Sequence, residues 1–454
     1  MNLLLAPTQT LHFVGLAGSG MSALAQYLAL AGRRVTGSDR AFDRGEQSTD
    51  RQTLQSLGIE ILPQDGTGAA GADLLVRSTA VETDIPDLVR ARELAVPCCH
   101  RAELLAELLN GPSLAVAGSS GKSTVVAMVF EILLHAGRDP GLITGGRLRS
   151  LVSEHSLGNA RFGRGPLVVE ADESDGSLVR HAPEAALILN LHRDHMETDQ
   201  VLEQFLRFRE QTRGNVVLSD DENLAPLWPG ALLFGQSPRA DLRAEQLTLT
   251  RDGSRFSVRG VPFRLPVPGS FNAWNGLAAA ALCFAVGVEL EVAAAALARF
   301  QGVLRRFERL GAAGGVEVVD DFAHNPVKLR AALRLAQQRS ARVLALFQPH
   351  GFAPTRFQRT ELVEMFQGTL RPQDRLWLAP IYFAGGTVKR EISSADLVRD
   401  LKERGAPAFE APDREAWIEA VRREARSGDT VLLLGARDPS LPELGRRLVR
   451  KLES

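Results

Sequence analysis

The 454-residue chain has 44% hydrophobic and 24% charged residues, which is typical of a soluble globular protein and gives room for about three domains. Its net charge of -1 argues against broad electrostatic binding to nucleic acid or to an anionic membrane. Three cysteines, Cys98, Cys99 and Cys283, form neither a disulfide framework nor a CxxC metal pattern, so we expect a cytoplasmic, reducing environment. The N-terminus has no basic leader or cleavage pattern, and no signal peptide is expected.

The first predicted unit is a strand, a glycine loop and a helix. The sequence GSGMSA at 18–23, with Asp39 just after the next strand, matches the dinucleotide-binding fingerprint in outline. It predicts that a diphosphate binds at the helix N-terminus and that Asp39 contacts a ribose hydroxyl. It does not identify the molecule that carries the diphosphate. The stretch 11–32 is nearly uncharged, but its glycines and its pattern of a strand followed by a helix argue against a membrane span.

A second strand, loop and helix begins at residue 114, after a linker at 109–113 that we take as a domain boundary. Its loop, GSSGKST at 118–124, has glycines that let several backbone N–H groups point at one anion. Lys122 is expected to reach the terminal phosphates of a nucleotide, and the Ser123 hydroxyl to bind magnesium. The loop is shorter than the usual Walker loop.

Two later strands of this domain end in acidic and histidine-rich sequences. The strand at 167–169 runs into EADESDGS, and the one at 186–190 runs into LHRDHMETD. Ligands bind at the carboxyl ends of strands in open α/β sheets, so Glu170 and His195 are candidates to complete the magnesium site. A zinc pair of His192 and His195 lacks a further ligand at a completing spacing, and HRD lacks the companion motifs of a kinase.

An apolar helix is predicted after residue 269, with Asn272 and Asn275 on one face near its first turn. Two asparagines on one face suggest a bound polar ligand. In the following GVLRRFE, Arg305 and Arg306 are candidates to contact phosphate or to stack on a base.

The glycine-rich stretch GAAGG at 311–315 predicts a flexible hinge and a second boundary at 310/311. Beyond it, helices and strands alternate again, which predicts a third α/β domain. Asp320, Asp321 and His324 follow the first strand of this domain and are expected to face its cleft.

In this order the motifs resemble the Mur ligase family, the ATP-dependent amino-acid ligases of peptidoglycan precursor synthesis. The quoted motifs run along nearly the whole chain: GLAGSGMS, STAV, AGSSGKST, GNARFGRG, EADESD, NLHRDHMETD, FNAWN, RRFE, DDFAHNP, FQPH, APIYFAGG and GARD. The resemblance implies three α/β domains: a Rossmann-like UDP-sugar domain at 1–108, a P-loop ATP-binding domain at 109–310 and a Rossmann-like amino-acid domain at 311–454.

The activity implied by the resemblance is ATP-dependent ligation of the carboxylate of UDP-N-acetylmuramate to an amino acid, with L-alanine expected. Transfer of the γ-phosphoryl group would turn the carboxylate into an acyl phosphate that an amine can attack, and such chemistry is mostly positioning and charge neutralisation. ATP and Mg²⁺ are the implied cofactors. A monomer or weak homodimer is expected, with no nucleic acid partner and no membrane insertion.

The resemblance also assigns roles to residues by matching position. The first glycine loop would hold the UDP-sugar through Gly15, Gly18, Ser19, Gly20, Met21, Ser22, Asp39, Ser78 and Thr79. ATP would contact Gly118, Ser119, Ser120, Gly121, Lys122, Ser123, Thr124, Asn272, Asn275 and Arg306. Magnesium would be held by Ser123, Glu170 and His195. The catalytic set would be Lys122, Glu170, His195 and His324, with His324 on the amino-acid side.

The amino-acid side departs from the family pattern. Arginines that follow FQPH in the family are replaced by Gly351 and Pro354, and an Arg-Glu pair is replaced by Gly385 and Gly386. Family histidines are replaced by Ser120, Phe271 and Asn325. Because an amino-acid carboxylate is usually met by an arginine, Arg356 or Arg359 is a candidate from a shifted position.

Three alternatives stay open. A recycling ligase of the same family would add a preformed tripeptide, and a substrate panel separates it from an amino-acid ligase. A non-catalytic relative would bind UDP-sugar and nucleotide to regulate a partner, without consuming ATP. A nicotinamide-dependent dehydrogenase built on 15–39 would leave the Lys122 loop without a role.

Overall fold

The computed structural model describes residues 9–172, 178–191, 198–225, 228–383 and 390–453. It divides into two compact units, 1–303 and 304–454. The second unit therefore begins ahead of the boundary predicted at 310/311. The boundary predicted at 108/109 lies inside the first unit and stays a prediction. Within the described ranges, no helix has the length and apolar character needed to span a membrane.

The N-terminal part of the first unit is a parallel sheet with its helices. Its elements are β1 (Thr10–Val14), α1 (Ser19–Leu30), β2 (Arg34–Ser38), α2 (Arg40–Asp43), α3 (Ser48–Ser56), β3 (Glu60–Ile61), α4 (Thr67–Ala70), β4 (Leu74–Arg77), α5 (Pro86–Glu93), β5 (Cys98–His100) and α6 (Arg101–Leu108). The strand order is β3-β2-β1-β4-β5, and all neighbours are parallel. The chain changes direction across the sheet at β1, which places the loop after β1 at the usual ligand-binding crevice.

The central part of the first unit is an eight-stranded sheet. Its elements are β6 (Ser113–Ala117), α7 (Lys122–His135), β7 (Gly141–Ile143), β8 (Ala160–Arg161), β9 (Leu167–Glu170), β10 (Ala185–Ile188), α8 (Thr198–Gln211), β11 (Val216–Ser219), β12 (Leu232–Gly235) and β13 (Leu242–Arg243). The order is β13-β12-β11-β10-β6-β9-β7-β8, with only the β7–β8 pair antiparallel among these described strands. β6 is buried along its whole length, as its apolar sequence predicts.

A small antiparallel sheet and two helices complete the first unit. They are β14 (Glu245–Thr250), β15 (Gly253–Val258), β16 (Val261–Leu265), α9 (Ser270–Ala285) and α10 (Leu290–Leu297). The alanine-rich face of α9 packs against α7 in one hydrophobic core. Cys283 of α9 lies in this core, and its burial raises the pKa of its thiol. The packing fixes the start of α9 beside the start of α7.

The second unit is a six-stranded sheet flanked by helices. Its elements are β17 (Glu308–Ala313), β18 (Val316–Asp321), α11 (Pro326–Arg339), β19 (Arg342–Phe347), α12 (Phe352–Phe357), α13 (Arg359–Thr369), β20 (Arg375–Leu378), α14 (Ser394–Glu403), β21 (Ala408–Glu410), α15 (Arg414–Glu424), β22 (Asp429–Leu434) and α16 (Leu441–Glu453). The order is β17-β18-β22-β19-β20-β21, and only the β17–β18 pair is antiparallel among the strands described.

The prediction of a flexible hinge at 311–315 is wrong. Gly311 lies within β17, and the turn to β18 is made by Gly314 and Gly315, whose φ angles are +56° and +77°. Gly314 and Gly315 therefore form a tight hairpin turn at positive φ, a conformation that glycine adopts without strain. A flexible hinge favours glycine because of the same conformational freedom. The sequence pattern alone does not separate the two uses.

Candidate active site

The phosphate loop joins β6 to α7 in the geometry that the sequence predicts. Gly118 and Gly121 have φ angles of +136° and +91°, which side chains of L-residues rarely allow. A Cβ added at Gly118 would lie 2.8 Å from the Cβ of Leu189, and one at Gly121 would lie 2.7 Å from Oδ1 of Asn275. Both positions therefore need glycine for backbone conformation and for space.

Lys122 is the first residue of α7, and its side chain folds back over the loop. Its Nζ donates a hydrogen bond to the carbonyl of Gly118 at 2.8 Å and lies 3.6 Å from Oδ1 of Asp172. The side chain is only 15% exposed. The ammonium group and the N-terminus of α7 thus give the loop positive potential, as a phosphate site requires.

One asparagine is hydrogen-bonded to the loop, and two more lie beside it. The backbone N–H of Ser120 donates to Oδ1 of Asn190 at 2.9 Å, and Nδ2 of Asn190 donates to the carbonyl of Ser120 at 3.0 Å. On α9, Nδ2 of Asn275 donates to Oδ1 of Asn272 at 3.3 Å, and Nδ2 of Asn272 donates to the carbonyl of Pro268 at 2.7 Å. The two asparagines of α9 share a face beside Gly121. The role of Asn190 was not predicted.

Glu170 ends β9 close to the phosphate loop. Its Oε2 accepts a hydrogen bond from the N–H of Gly145 at 2.8 Å. Its Oε1 is buried and, within the described ranges, accepts no hydrogen bond. A Cβ added at Gly146 would lie 2.9 Å from the Cβ of Ser123, so the Gly145-Gly146 segment is next to both Glu170 and Ser123.

These oxygens fit a magnesium ion. Mg²⁺ prefers oxygen ligands and is usually bound by one or two protein oxygens together with substrate phosphates. The hydroxyl of Ser123 and the carboxylate of Glu170 are such ligands, and the buried Oε1 of Glu170 needs a partner. The third predicted ligand, His195, and His192 beside it lie outside the described residues. Among the described ranges, no cluster of three or more His, Cys, Asp or Glu residues forms a metal site.

The first glycine loop follows β1 and opens α1. The N–H groups of Gly15 and Leu16 both donate to the carbonyl of Ser38, and Gly18 is the N-cap of α1. A Cβ added at Gly20 would lie 3.2 Å from Nη1 of Arg101. A basic side chain missed by sequence reasoning therefore approaches the helix N-terminus where a diphosphate is expected.

Asp39 supports this loop through both carboxylate oxygens. Oδ2 accepts from the N–H of Ala17 at 2.9 Å, and Oδ1 accepts from the N–H of Ala41 at 2.8 Å as the N-cap of α2. Burial raises the pKa of Asp39, and these two backbone hydrogen bonds oppose the rise. The contact of Asp39 with a ribose stays a prediction.

The other predicted UDP-sugar residues lie around the same loop. Met21 and Ser22 are buried in the first turns of α1. Ser78 accepts a backbone hydrogen bond from Val81, whose Cγ2 would lie 3.1 Å from a Cβ added at Gly15. The turn that contains Thr79 is therefore adjacent to the glycine loop.

Asn159, from the GNARFGRG sequence, joins α1 to the central sheet and is fully buried. Its Nδ2 donates to the carbonyl of Ser19 at 3.0 Å and lies 3.3 Å from the hydroxyl oxygen of Ser22. Its Oδ1 accepts from Nε2 of Gln26 at 2.7 Å, and its backbone carbonyl accepts from Thr144 at 3.0 Å. We call these five residues the α1 seam.

The α1 seam brings the two glycine loops together. The residue after Thr144 is Gly145, which donates to Glu170. A Cβ added at Gly145 would lie 3.0 Å from Oε2 of Glu170 and 3.8 Å from the hydroxyl oxygen of Ser19. The start of α1 and the predicted magnesium carboxylate are therefore neighbours.

Arg305 and Arg306 belong to the second unit and differ in their surroundings. Arg305 donates from Nε to Asp320 at 2.9 Å, from Nη1 to Ala436 and from Nη2 to Gly435. It is a structural residue, so the sequence-based idea that it contacts a nucleotide is not supported. The guanidinium carbon of Arg306 lies 5.0 Å from the ring centroid of Phe322, and a contact of Arg306 with ATP stays a prediction.

Asp320 is fully buried, which a cleft-facing role does not predict, whereas Asp321 at the end of β18 is partly buried. Burial raises the pKa of Asp320 to about 6, and Arg305 opposes this rise. Burial also raises the pKa of Asp321, whose oxygens accept from the N–H groups of Phe307 and Ala323. The carboxylate of Asp320 is held by the side chain of Arg305, and that of Asp321 holds the backbone before and after β18.

His324 lies in the loop after β18. Its Nδ1 is 2.9 Å from the carbonyl oxygen of Phe322, and its ring is edge-on to that of His350, with centroids 5.1 Å apart. His350 follows β19, so two neighbouring loops of the second unit meet here. Asn325, beside His324, is the N-cap of α11 and accepts from the N–H of Lys328.

Both candidates for the missing arginines already have carboxylate partners. Arg356 forms an exposed ion pair with Glu391. Arg359 donates to both oxygens of Asp400, at 2.7 and 2.9 Å, and this pairing raises the pKa of Arg359. A carboxylate ligand would have to displace these partners, and the suggestion from sequence stays a prediction. Gly385 and Gly386 lie outside the described residues.

Comparison with known protein families covers most of the chain. Residues 10–112 match the Mur ligase family, catalytic domain; 116–283 match the Mur ligase middle domain; and 305–437 match the Mur ligase, glutamate ligase domain. The three matches follow one another in the order of the three predicted domains.

Individual relatives agree with these matches. The chain is 35% identical to the UDP-N-acetylmuramate--L-alanine ligase of Gluconobacter oxydans, over 94% of this chain and 92% of that protein. The structure of the UDP-N-acetylmuramate-alanine ligase from Thermotoga maritima superposes with a TM-score of 0.81 at 27% identity, covering 98% and 99% of the two chains. A murein peptide ligase from Psychrobacter arcticus shares the fold, with a TM-score of 0.71 at 21% identity and coverage of 98% and 99%.

Proposed function

The chain belongs to the Mur ligase family, and we propose that this ATP-dependent ligase joins the carboxylate of UDP-N-acetylmuramate to L-alanine in peptidoglycan precursor synthesis. Mg²⁺ is part of the proposal, as is action in the cytoplasm, where the three free cysteines would stay reduced.

The observation that supports the proposal is that the N-termini of α1 and α7, each preceded by a glycine loop, lie near the same Gly145-Gly146 segment. The first turn of α1 is where we propose that the UDP diphosphate binds, and the first turn of α7 would take the ATP phosphates. The α1 seam, through Asn159, and the contact of Gly145 with Glu170 connect these sites. A ligase that phosphorylates a carboxylate on one substrate with ATP needs such neighbouring sites.

The residues of the phosphate loop would act by position and charge. Lys122 and the N–H groups of the loop would neutralise the phosphoryl oxygens as the carboxylate oxygen attacks the γ-phosphorus and ADP leaves. Ser123 and Glu170, with His195, would hold Mg²⁺, which supplies further positive charge to the same oxygens. Arg101, beside Gly20, would help to bind the UDP diphosphate.

The amine of the amino acid then attacks the carbonyl carbon of the acyl phosphate. The C–N bond forms, the C–O bond to phosphate breaks, and the amine loses a proton. We propose that His324 lies on the amino-acid side of this reaction. These two steps, phosphoryl transfer and then attack by the amine, need no oxidant or reductant. This distinguishes the proposed reaction from that of a dehydrogenase.

A substrate panel tests the proposal. Phosphate release from ATP is measured with UDP-N-acetylmuramate and L-alanine, glycine, L-serine or the tripeptide, and the product mass is determined. We expect release to depend on both UDP-N-acetylmuramate and L-alanine, with a product of one added alanine. Activity with the tripeptide alone would make this a recycling ligase, and no ATP consumption with any pair would make it a non-catalytic relative.

A further inference from the structure

The loops that follow β19 and β20 are joined by backbone hydrogen bonds at the carboxyl end of the sheet of the second unit. The N–H of Gly351 donates to the carbonyl of Tyr382 at 2.9 Å, and the N–H of Tyr382 donates to the carbonyl of Pro349 at 2.8 Å. This pairing brings Phe352 and Phe383 together, with ring centroids 5.6 Å apart. Carboxyl ends of parallel strands are where ligands bind in such sheets.

Arg390 lies against both of these rings. Its guanidinium carbon is 5.1 Å from the centroid of Phe383 and 5.7 Å from that of Phe352, within the range of cation–π contact. Arg390 is exposed and, in the described part of the chain, makes no hydrogen bond or ion pair. Its planar group is therefore held by two aromatic rings, and no residue in the described ranges accepts a hydrogen bond from its N–H donors.

Other cations near these loops are less suited to a carboxylate ligand. Arg356 and Arg359 are paired with Glu391 and Asp400. Position 351 has a φ of +71°, where a side chain would be strained, so the loop itself does not favour an arginine there. Arg437, after β22, is exposed, but no ring or carboxylate of the described residues fixes its direction.

We propose that Arg390 binds the α-carboxylate of the incoming amino acid, an inference that rests on the ligase function proposed above. A guanidinium offers two parallel N–H donors to a carboxylate, and stacking on rings fixes its plane before the ligand arrives. Less conformational entropy is then lost on binding than for a free arginine. Phe352 and Phe383 are positioning residues in this account, and His350 lies beside them at the end of β19.

The test compares L-alanine with L-alaninamide, which has the amine but no carboxylate. Phosphate release is measured with wild type, Arg390→Ala, Arg390→Lys, Arg437→Ala and the matched control Arg356→Ala.

We expect Arg390→Ala to raise KM for L-alanine roughly 10- to 100-fold, since a charge-assisted bidentate contact is lost, and to leave KM for ATP unchanged. KM for L-alaninamide should not change in this variant. Arg390→Lys should restore only part of the loss, because an ammonium lacks the planar fork.

The controls separate the failures. Arg356→Ala should behave as wild type, since its exposed ion pair contributes little. Retention of the preference for L-alanine over L-alaninamide in Arg390→Ala would overturn the inference, and loss of that preference in Arg437→Ala instead would assign the role to Arg437. If wild type releases no phosphate with L-alanine, the proposed function fails first, and the role of Arg390 fails with it. Thermal unfolding of each variant shows whether it is folded.

Discussion

The phosphate loop of the first unit and the loops after β19 and β20 in the second unit, here called the loop cluster, are built in different ways. The phosphate loop is built from seven contiguous residues at 118–124, and the phosphate donors proposed for it are backbone N–H groups and Lys122. The loop cluster assembles its groups from the ends of separate strands, with rings from Phe352 and Phe383 and a guanidinium from Arg390. The first can be recognised from a short sequence, whereas the second depends on which loops the fold makes adjacent.

The largest expected effect on kcat comes from a substitution in the phosphate loop. Lys122→Ala removes the charge that would neutralise the transferring phosphoryl group, so kcat should fall by roughly 10²–10³-fold or more. Phosphate release is the measurement, and Lys402→Ala, an exposed lysine of α14, is the matched control. Near-normal turnover in Lys122→Ala would contradict the assignment of the loop.

A second variant addresses the neighbouring carboxylate. Glu170→Gln keeps an oxygen for the N–H of Gly145 but loses the negative charge offered to magnesium. We expect kcat to fall roughly 100-fold and the Mg²⁺ concentration for half-maximal activity to rise. The control is Glu203→Gln, an exposed residue of α8. An unchanged magnesium dependence would remove Glu170 from the site.

The α1 seam offers a test of positioning. Asn159→Ala leaves the amide of Gln26 and the carbonyl of Ser19 without this partner, which should cost about 1–3 kcal/mol of unfolding free energy. We also expect kcat to fall roughly 10-fold at saturating substrates, since small misplacements of reacting groups slow the reaction. Denaturant titration and turnover are measured beside Asn215→Ala, an exposed asparagine. Lower stability with an unchanged kcat would leave the seam a purely structural role.

The smallest expected effect concerns Asp320 in the second unit. Its pKa is raised to about 6, mainly by burial, with Arg305 opposing the rise and Asp321 and Glu308 adding to it. Because the folded state holds the proton more tightly, the stability that protonation contributes is complete below the ordinary pKa near 3.8 and is lost as pH rises through about 6. The free energy of unfolding of wild type should therefore fall more than that of Asp320→Asn between about pH 4 and pH 6.5. Parallel pH profiles for the two proteins would contradict this.

The sequence predicted what depends on local pattern. The strand, loop and helix around Lys122 and the alternation of helices and strands in the second unit follow from apolar periodicity and glycine positions. The hinge at 311–315 was wrong because a hairpin turn and a hinge both favour glycine. Asn159, Asn190 and Arg390 escaped notice because their roles depend on partners distant in the chain.

The most direct test of the central claim follows an oxygen atom. UDP-N-acetylmuramate labelled with ¹⁸O in its carboxylate is incubated with ATP, Mg²⁺ and L-alanine, and the released phosphate is analysed by mass spectrometry. If the crevice beside α1 and α7 makes an acyl phosphate, one carboxylate oxygen must leave with each phosphate as the amide forms. Released phosphate that carries no label, while the amide product accumulates, would contradict the account.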